Sequence, residues 1–484
     1  MQLKSLLERV EYTSSGNMDI SIEDIVYDSR KVRPGVVFVC LEGASVDGHM
    51  YAAAAAQAGA AAVVAARPVE TGDTPLILVK DTRAALAQMS AAFFHYPAEE
   101  IPVVGITGTK GKTTSAYMIC SILEAAGIKT GMIGTVGIRI GETVTATDNT
   151  TPESYIVQRA LRNMVDAGCG AAVMEASSIG LRGHRADAIP FAVGLFTNFS
   201  EDHIGGAEHK DMEEYLNCKR MLFQKCRLGV INRDDPMWME IQKGKTCEVS
   251  YFGFSKEADL RASKEALISR PGFLGVRFHA EGTMEFDAEV PIPGKFSVYN
   301  ALGAAAVCGL MGISSENIVK GLAAVKVKGR VEPVPVPGNY TLLIDYAHNA
   351  VSMESILTTL REYNPHRLIC LFGAGGNRSR TRRFEMGEVS GRLADLSVLT
   401  ADNSRFEDVM DIIADIKVGI GRTNGKYVVI PDRKEAIQYC MQNAEDGDIV
   451  VLAGKGHEDY QEIRGVKYHL DEREVVADIL AGRF

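Results

Sequence analysis

The sequence predicts an α/β protein of three domains: a small N-terminal α/β domain, a central parallel-sheet domain with a phosphate-binding loop, and a C-terminal doubly wound, Rossmann-like domain. Three observations carry this prediction. The chain of 484 residues suits three domains at roughly 100–200 residues each. From Ile101 onward, short apolar runs alternate with helical patterns, the signature of parallel strands with crossover helices. Between one such run and a helix-like stretch stands Thr107-Gly108-Thr109-Lys110-Gly111-Lys112-Thr113-Thr114.

Taken in order, residues 1–98 mix strand runs, Val36–Val39 and Leu76–Val79, with an alanine-rich stretch from Tyr51 to Ala66. Gln57 and Gly59 interrupt that stretch and alanine gains little from lipid, so it reads as a small-residue helix leading into a strand at Ala61–Val64. Residues 99–330 supply the run Ile101–Ile106, a helix from Ser115 to Ala126, and strands at Ala171–Glu175, Phe191–Phe196 and Gly229–Ile231. The proline-rich segment Glu332–Gly338 punctuates the chain, which sets a boundary near Arg330. Residues 331–484 alternate again, with strands at Tyr340–Asp345, Leu368–Phe372, Leu396–Thr400, Tyr427–Ile430 and Asp448–Leu452.

Composition narrows the class. Nine cysteines without a C-x-x-C pair support neither a disulfide framework nor a zinc knuckle, and they fit a reducing cytoplasm. The N-terminus has no apolar core of signal-peptide length, and no long apolar run predicts a membrane span. A formal net charge of −10 argues against a nucleic-acid partner. A monomer is expected.

The octapeptide is a nucleotide phosphate cradle: a strand ends, a glycine-rich turn directs N–H groups inward, and a helix N-terminus adds its dipole. Gly108, Thr109, Lys110, Gly111, Lys112, Thr113 and Thr114 form it, with Lys112 directed at the β/γ-phosphates and Thr113 at Mg²⁺. Ile106 stands where the standard loop has its first glycine, so this is a tighter variant. Ligands of open parallel sheets lie beyond strand carboxyl ends, which gives weight to Glu175 and to the cluster Thr197–His203. Glu175 reads either as a Mg²⁺ ligand or as an ordinary strand-end carboxylate. His203 reads either as a second ligand or as a solvated loop histidine.

The ordered strings TGTKGKTT, NTTP at 149–152, MEASSIGLRGHR at 174–185, FTNFSEDHIGG at 196–206 and YLNCKRMLF at 215–223 resemble the Mur ligase family. The later GRVEPV, IDYAHN, FGAGGNR, DNSR and AGKGHEDYQ extend the resemblance over nearly the whole chain and point to the family's tripeptide-synthetase type. The resemblance implies an ATP-dependent ligase in the cytoplasmic stage of peptidoglycan synthesis. Its substrate would be UDP-N-acetylmuramoyl-L-Ala-D-Glu (UDP-MurNAc-L-Ala-D-Glu), to which it adds a diamino acid. ATP, Mg²⁺ and a CO₂-derived carbamate on Lys219 are implied, with Thr113, Glu175, His203 and Lys219 around the metal. Without the family, Lys219 reads as a surface cation and Lys110 as solvated.

By the same resemblance, Asn300 contacts adenine, Arg330 clamps phosphate, and Asp345 and His348 add nucleotide contacts. Ser29, Arg30 and His49 fall near the uridine diphosphate, and Asn149, Thr150, Thr151, Ser177 and Arg185 near the muramoyl dipeptide. Arg378, Asp402, Asn403, Arg405, Gly454 and Glu458 match positions that hold the distal centre of meso-diaminopimelate: a guanidinium binds its extra carboxylate, and Glu458 pairs its extra ammonium. Ser404 departs from the Asp-Asn-Pro-Arg signature, which leaves L-lysine or another amino acid, such as a diaminopimelate analogue, as the alternative. From another class, a catalytically decayed nucleotide-binding regulator is the rival reading.

Overall fold

The computed structural model describes residues 1–43, 46–201, 205, 208–270 and 273–483. Backbone contacts divide the chain into two compact units. One comprises Met1–Arg261 with Gly282–Met284 and Leu302–Gly321; the other comprises Ala262–Glu281, Glu285–Ala301 and Leu322–Phe484.

The first unit holds two sheets. The N-terminal sheet has β1 (Tyr12–Ser15), β2 (Asp24–Val26), β3 (Val36–Val39), β4 (Ala62–Ala65) and β5 (Leu76–Val79) in the order β1-β5-β4-β3-β2. β3 and β4 are fully buried, which is why they read as continuous apolar runs. The alanine stretch divides into a turn at Gly48–Tyr51, a helix at Ala52–Gln57 and then β4. The helix is shorter than the sequence suggested because Gly59, at φ +93°, ends it.

The central sheet is built on β6 (Val103–Thr107), β7 (Thr130–Gly134), β8 (Gly137–Ile140), β9 (Thr143–Thr145), β10 (Ala171–Glu175), β11 (Phe191–Phe196), β12 (Cys226–Asn232) and β13 (Glu248–Gly253). Within the first unit these run β13-β12-β11-β6-β10-β7-β8-β9. The strands from β13 to β7 pair in parallel, and β8 and β9 add an antiparallel edge. The helix Ser154–Asp166 buries Val157, Ala160, Leu161 and Met164, one face of a 3.6-residue period. Each of the larger side chains contributes about 1.5–3 kcal/mol.

The second unit contains most of β14 (Leu260–Arg270), β15 (Phe273–Gly282) and β16 (Phe286–Val290), where β15 and β16 pair antiparallel. Its main sheet joins β17 (Glu332–Val334), β18 (Thr341–Asp345), β19 (Leu368–Phe372), β20 (Leu396–Leu399), β21 (Tyr427–Val429) and β22 (Ile449–Ala453) in the order β17-β18-β22-β19-β20-β21. Only β17 is antiparallel. A hairpin of β23 (Tyr460–Ile463) and β24 (Val466–His469) follows. Among the described residues, no helix is long and apolar enough to cross a membrane.

Candidate active site

The first centre forms where β6 gives way to the helix Lys112–Ala125. The helix starts at Lys112, three residues earlier than the sequence suggested, because Gly111 at φ +84° serves as its left-handed N-cap. Gly108 lies at φ +147°, and a Cβ there would collide with Thr197 Oγ1. Lys112 Nζ donates to Gly108 O at 2.8 Å and Thr109 O at 3.0 Å. β11 supports the loop from its carboxyl end: Thr109 N donates to Asn198 O (2.9 Å), Lys110 N to Asn198 Oδ1 (3.0 Å), and Thr197 Oγ1 to Lys110 O (2.7 Å).

Glu175, at the end of β10, is fully buried and gathers three donors. Thr113 Oγ1 donates to Oε2 at 3.1 Å, Thr135 N to Oε1 at 3.0 Å, and Thr135 Oγ1 to Oε2 at 3.1 Å. A Cβ on Gly134 would strike this carboxylate, so the glycine makes room for it. Lys219, only 1% exposed on the helix Met212–Arg220, donates from Nζ to Gly108 O at 2.8 Å and lies 4.3 Å from the Tyr215 ring centroid. Tyr215 OH in turn donates to Thr109 Oγ1 at 3.2 Å.

The paired hydroxyl and carboxylate of Thr113 and Glu175 suit a hard cation that keeps waters and phosphate oxygens as its other ligands. A carbamate on Lys219 also fits, since its nitrogen would keep one N–H for the Gly108 carbonyl.

Nearby, Arg185 donates from Nη2 to Glu153 Oε1 (2.7 Å) and from Nη1 to Thr151 O (3.0 Å). Arg83 reaches the same carboxylate at 3.1 Å, which places two cations on Glu153. Thr151 Oγ1 donates to Glu175 O (2.8 Å) and accepts from Ser177 N (3.0 Å). Ser177 caps the helix Ser178–Arg182.

The second centre is an open cleft of about 140 Å³ at the carboxyl ends of the second unit's parallel strands. Tyr346, His348, Arg378, Arg382, Asp402, Asn403, Arg405, Gly454 and Glu458 line it. Arg405 sits at φ +52°, held by a parallel bridge to Ile463. Its Nε donates to Glu462 Oε2 (3.1 Å) and its Nη1 to Gly376 O (2.8 Å). Lys455 Nζ, fully buried, donates to Asn403 Oδ1 and Glu458 Oε2, each at 2.9 Å. Asn403 Nδ2 donates to Glu458 Oε2 at 3.0 Å. Arg382 donates from Nε to His348 O at 2.9 Å; burial, with Arg378 nearby, pushes the Arg382 pKa down. Burial also lowers His348, which favours the uncharged imidazole.

Asp345 accepts from Val331 N and Ala347 N, both at 2.8 Å, and burial raises its carboxyl in spite of Arg330. The Arg330 guanidinium carbon lies 5.1 Å from the Tyr346 ring centroid.

Family models match three consecutive stretches: "Mur ligase family, catalytic domain" at residues 21–94, "Mur ligase middle domain" at 106–308, and "Mur ligase, glutamate ligase domain" at 329–456. The UDP-N-acetylmuramoyl-L-alanyl-D-glutamate--2,6-diaminopimelate ligase of Clostridium perfringens is 41% identical over 100% of both chains. The chain belongs to the Mur ligase family. A solved structure of a ligase of that same name matches with a TM-score of 0.74 at 28% identity, covering 100% of this chain and 99% of the other. The MurF ligase from Thermotoga maritima in complex with ADP shares the fold, with a TM-score of 0.59 at 19% identity over 96% and 99%.

In this Mur ligase the structure brings together Gly108, Thr109, Gly111, Lys112, Thr113, Glu175 and Lys219. Thr114 follows on the same helix, and Lys110 is exposed, as a solvated side chain should be. His203 lies outside the described residues. Asn300, Arg330, Asp345 and His348 belong to the second unit. Thr150 joins the Glu175 cluster through Thr135 Oγ1 at 3.1 Å, whereas Asn149 is exposed.

Arg30 is exposed and paired with Asp28, beside Ser29 in the turn Ser29–Lys31. His49 is buried, with Nδ1 on Asp47 Oδ1 (2.6 Å) and Nε2 accepting from Ala66 N (3.0 Å). Its ring therefore braces the loop, and both nitrogens are used within the fold.

Sequence reasoning missed Thr135, Arg382 and Glu462; Asn198, Tyr215 and Lys455 stood within the strings it singled out but carried no role of their own. Thr135 follows β7 directly, so the strand-end rule would have found it had β7 been recognised.

Proposed function

We propose that this Mur ligase is an ATP-dependent amide ligase that joins meso-diaminopimelate to the D-glutamate of UDP-MurNAc-L-Ala-D-Glu. The cleft composition carries this reading: Arg378 and Arg405 face the same space as Asp402 and Glu458. A diamino diacid presents one carboxylate and one ammonium at its distal end, and this pair of opposite charges complements it. Lysine has no distal carboxylate to engage a guanidinium.

A carboxylate is a poor acyl donor because it would have to expel oxide. In the proposed mechanism the D-glutamate carboxylate takes the γ-phosphoryl group of ATP, releasing ADP and forming an acyl phosphate. The amino group of diaminopimelate then attacks the acyl carbon, forms the amide, loses a proton and expels phosphate. Lys112 and the loop N–H groups hold the transferring phosphoryl group. Mg²⁺, when bound, neutralises phosphate charge, and Thr113, Glu175 and a carbamylated Lys219 would hold it, joined by His203 in the family pattern. The buried Lys219 Nζ must lose its proton before it takes up CO₂, and its position against the Gly108 carbonyl keeps the modified nitrogen next to the phosphate loop.

The proposed division of labour is residues 1–98 for the UDP-sugar, 99–330 for ATP and 331–484 for the amino acid, in a cytoplasmic protein. The decisive experiment supplies purified protein with ATP, Mg²⁺ and UDP-MurNAc-L-Ala-D-Glu, plus meso-diaminopimelate, L-lysine or no amino acid. Phosphate release and product mass are recorded. Amide formed with diaminopimelate supports the reading. Product with lysine alone would keep the reaction and discard the cleft argument, and ATP binding without any product would favour a decayed regulator.

A further inference from the structure

Of the nine cysteines, eight are buried and only Cys247 is half-buried, so a soluble disulfide meets the protein's thiols at Cys247. Its neighbour is Cys226, at the start of β12, with the two Sγ atoms 3.5 Å apart. The strand register explains the approach. Leu228 pairs with Glu248 in parallel, so two residues earlier Cys226 is level with Thr246 and adjacent to Cys247. The same corner is tied to the turn Met221–Gln224: Thr246 N donates to Phe223 O (3.1 Å), Thr246 Oγ1 to Gln224 O (3.3 Å), and Cys247 Sγ lies 3.5 Å from Phe223 O. That turn continues directly from the helix that carries Lys219.

We propose that Cys226 and Cys247 form a reversible thiol–disulfide site, closed by exchange with a small disulfide of the glutathione class. The Cys247 thiolate attacks one sulfur of the small disulfide and expels the first thiolate. Cys226 then gives up its proton, attacks the Cys247 sulfur and expels the second. Two protein thiols are oxidised to one disulfide, and one small disulfide is reduced to two thiols. The order follows from access and acidity, because burial, with Cys247 beside it, pushes the Cys226 thiol up. Closure needs the sulfurs to approach from 3.5 Å to about 2.05 Å. The bond would link residues 21 positions apart and fasten the start of β12, just after the turn behind Lys219, to the residue that precedes β13. By restricting the unfolded chain it would also raise heat resistance.

The test treats the full-length protein with glutathione disulfide, blocks residual thiols with iodoacetamide, and combines intact mass, peptide mapping and thermal unfolding. The expected result is loss of two hydrogens, a Cys226–Cys247 cross-linked peptide, reversal by a thiol reductant, and a thermal midpoint higher by several degrees. Cys226→Ser should stop at a mixed disulfide on Cys247, and Cys247→Ser should stay unmodified. A stable mixed disulfide in the wild type, a cross-link between another pair, no reaction at all, or an unchanged midpoint would overturn the proposal. The wild-type mapping stands even where a serine variant folds poorly.

Discussion

Lys455 Nζ lies 2.9 Å from both Glu458 Oε2 and Asn403 Oδ1 while fully buried. One cation thus pairs with Glu458 and fixes the Asn403 amide, whose Oδ1 also accepts from Glu462 N at 2.8 Å. Lys455→Met would leave the Glu458 carboxylate in the cleft wall with the Asn403 amide but without its cationic partner. The KM for the diamino acid should rise by about tenfold to a hundredfold, with the KM for ATP nearly unchanged. Steady-state kinetics with each substrate varied in turn checks this, and parallel rises in both constants would refute a pocket-specific role.

Glu175→Gln tests the first centre. The amide keeps Oε1 as acceptor for Thr135 N but loses the charge and the Oε2 oxygen that accepts from both the Thr113 and Thr135 hydroxyls. Substrate-dependent phosphate release should fall by about 10²–10³-fold, while the thermal midpoint moves little. A variant that unfolds well below the wild type would make Glu175 a structural strut instead.

Acid stability should report on Asp415. Its hydrogen bond with Arg380 (Nε to Oδ2, 3.0 Å), opposed by burial and joined by Arg383 (Nη1 to Oδ2, 3.0 Å), holds its carboxyl below the usual range. A depressed carboxylate adds stability above its unfolded pKa, about 3.9, and that contribution fades as pH falls through the folded value. Asp415→Asn should therefore be less stable than wild type at pH 7, with the gap closing below about pH 4. Urea unfolding across that range measures it, and a gap independent of pH would contradict the assignment.

Arg433 is a buried strut. It donates from Nε to Glu472 Oε1 (2.9 Å), from Nη1 to Ala401 O (3.1 Å) and from Nη2 to Ala453 O (2.9 Å). Burial raises the Glu472 carboxyl even beside this guanidinium. Arg433→Met alone should cost about 3–5 kcal/mol, and adding Glu472→Leu should recover part of the loss. Chemical denaturation of both variants gives the comparison, and a double variant weaker than the single would argue that the carboxylate has another partner.

The parts legible in the sequence were those encoded within a few neighbouring residues. Parallel strands buried on both faces announce themselves as apolar runs, and β3, β6, β10, β11, β19 and β22 were all read that way. β14–β16 and the hairpin β23–β24 were not, because partly exposed strands mix polar and apolar positions and resemble loops. His49 shows the same limit at a single residue. Nothing within Asp47-Gly48-His49 reveals that Ala66 N will occupy the ring's second nitrogen.

The sequence by itself determined the α/β class, the phosphate loop and the Mur ligase resemblance, because glycines at left-handed positions, a lysine and a helix start are local features. Tertiary structure alone decided that Thr135 completes the Glu175 cluster from 40 residues away, and that Lys455 reaches Asn403 across 52. It also turned Lys219, a helix cation in the sequence, into a buried donor to Gly108 O across 111 residues. Such contacts depend on which strands lie side by side, and strand order is set by packing of the whole sheet rather than by any segment of it.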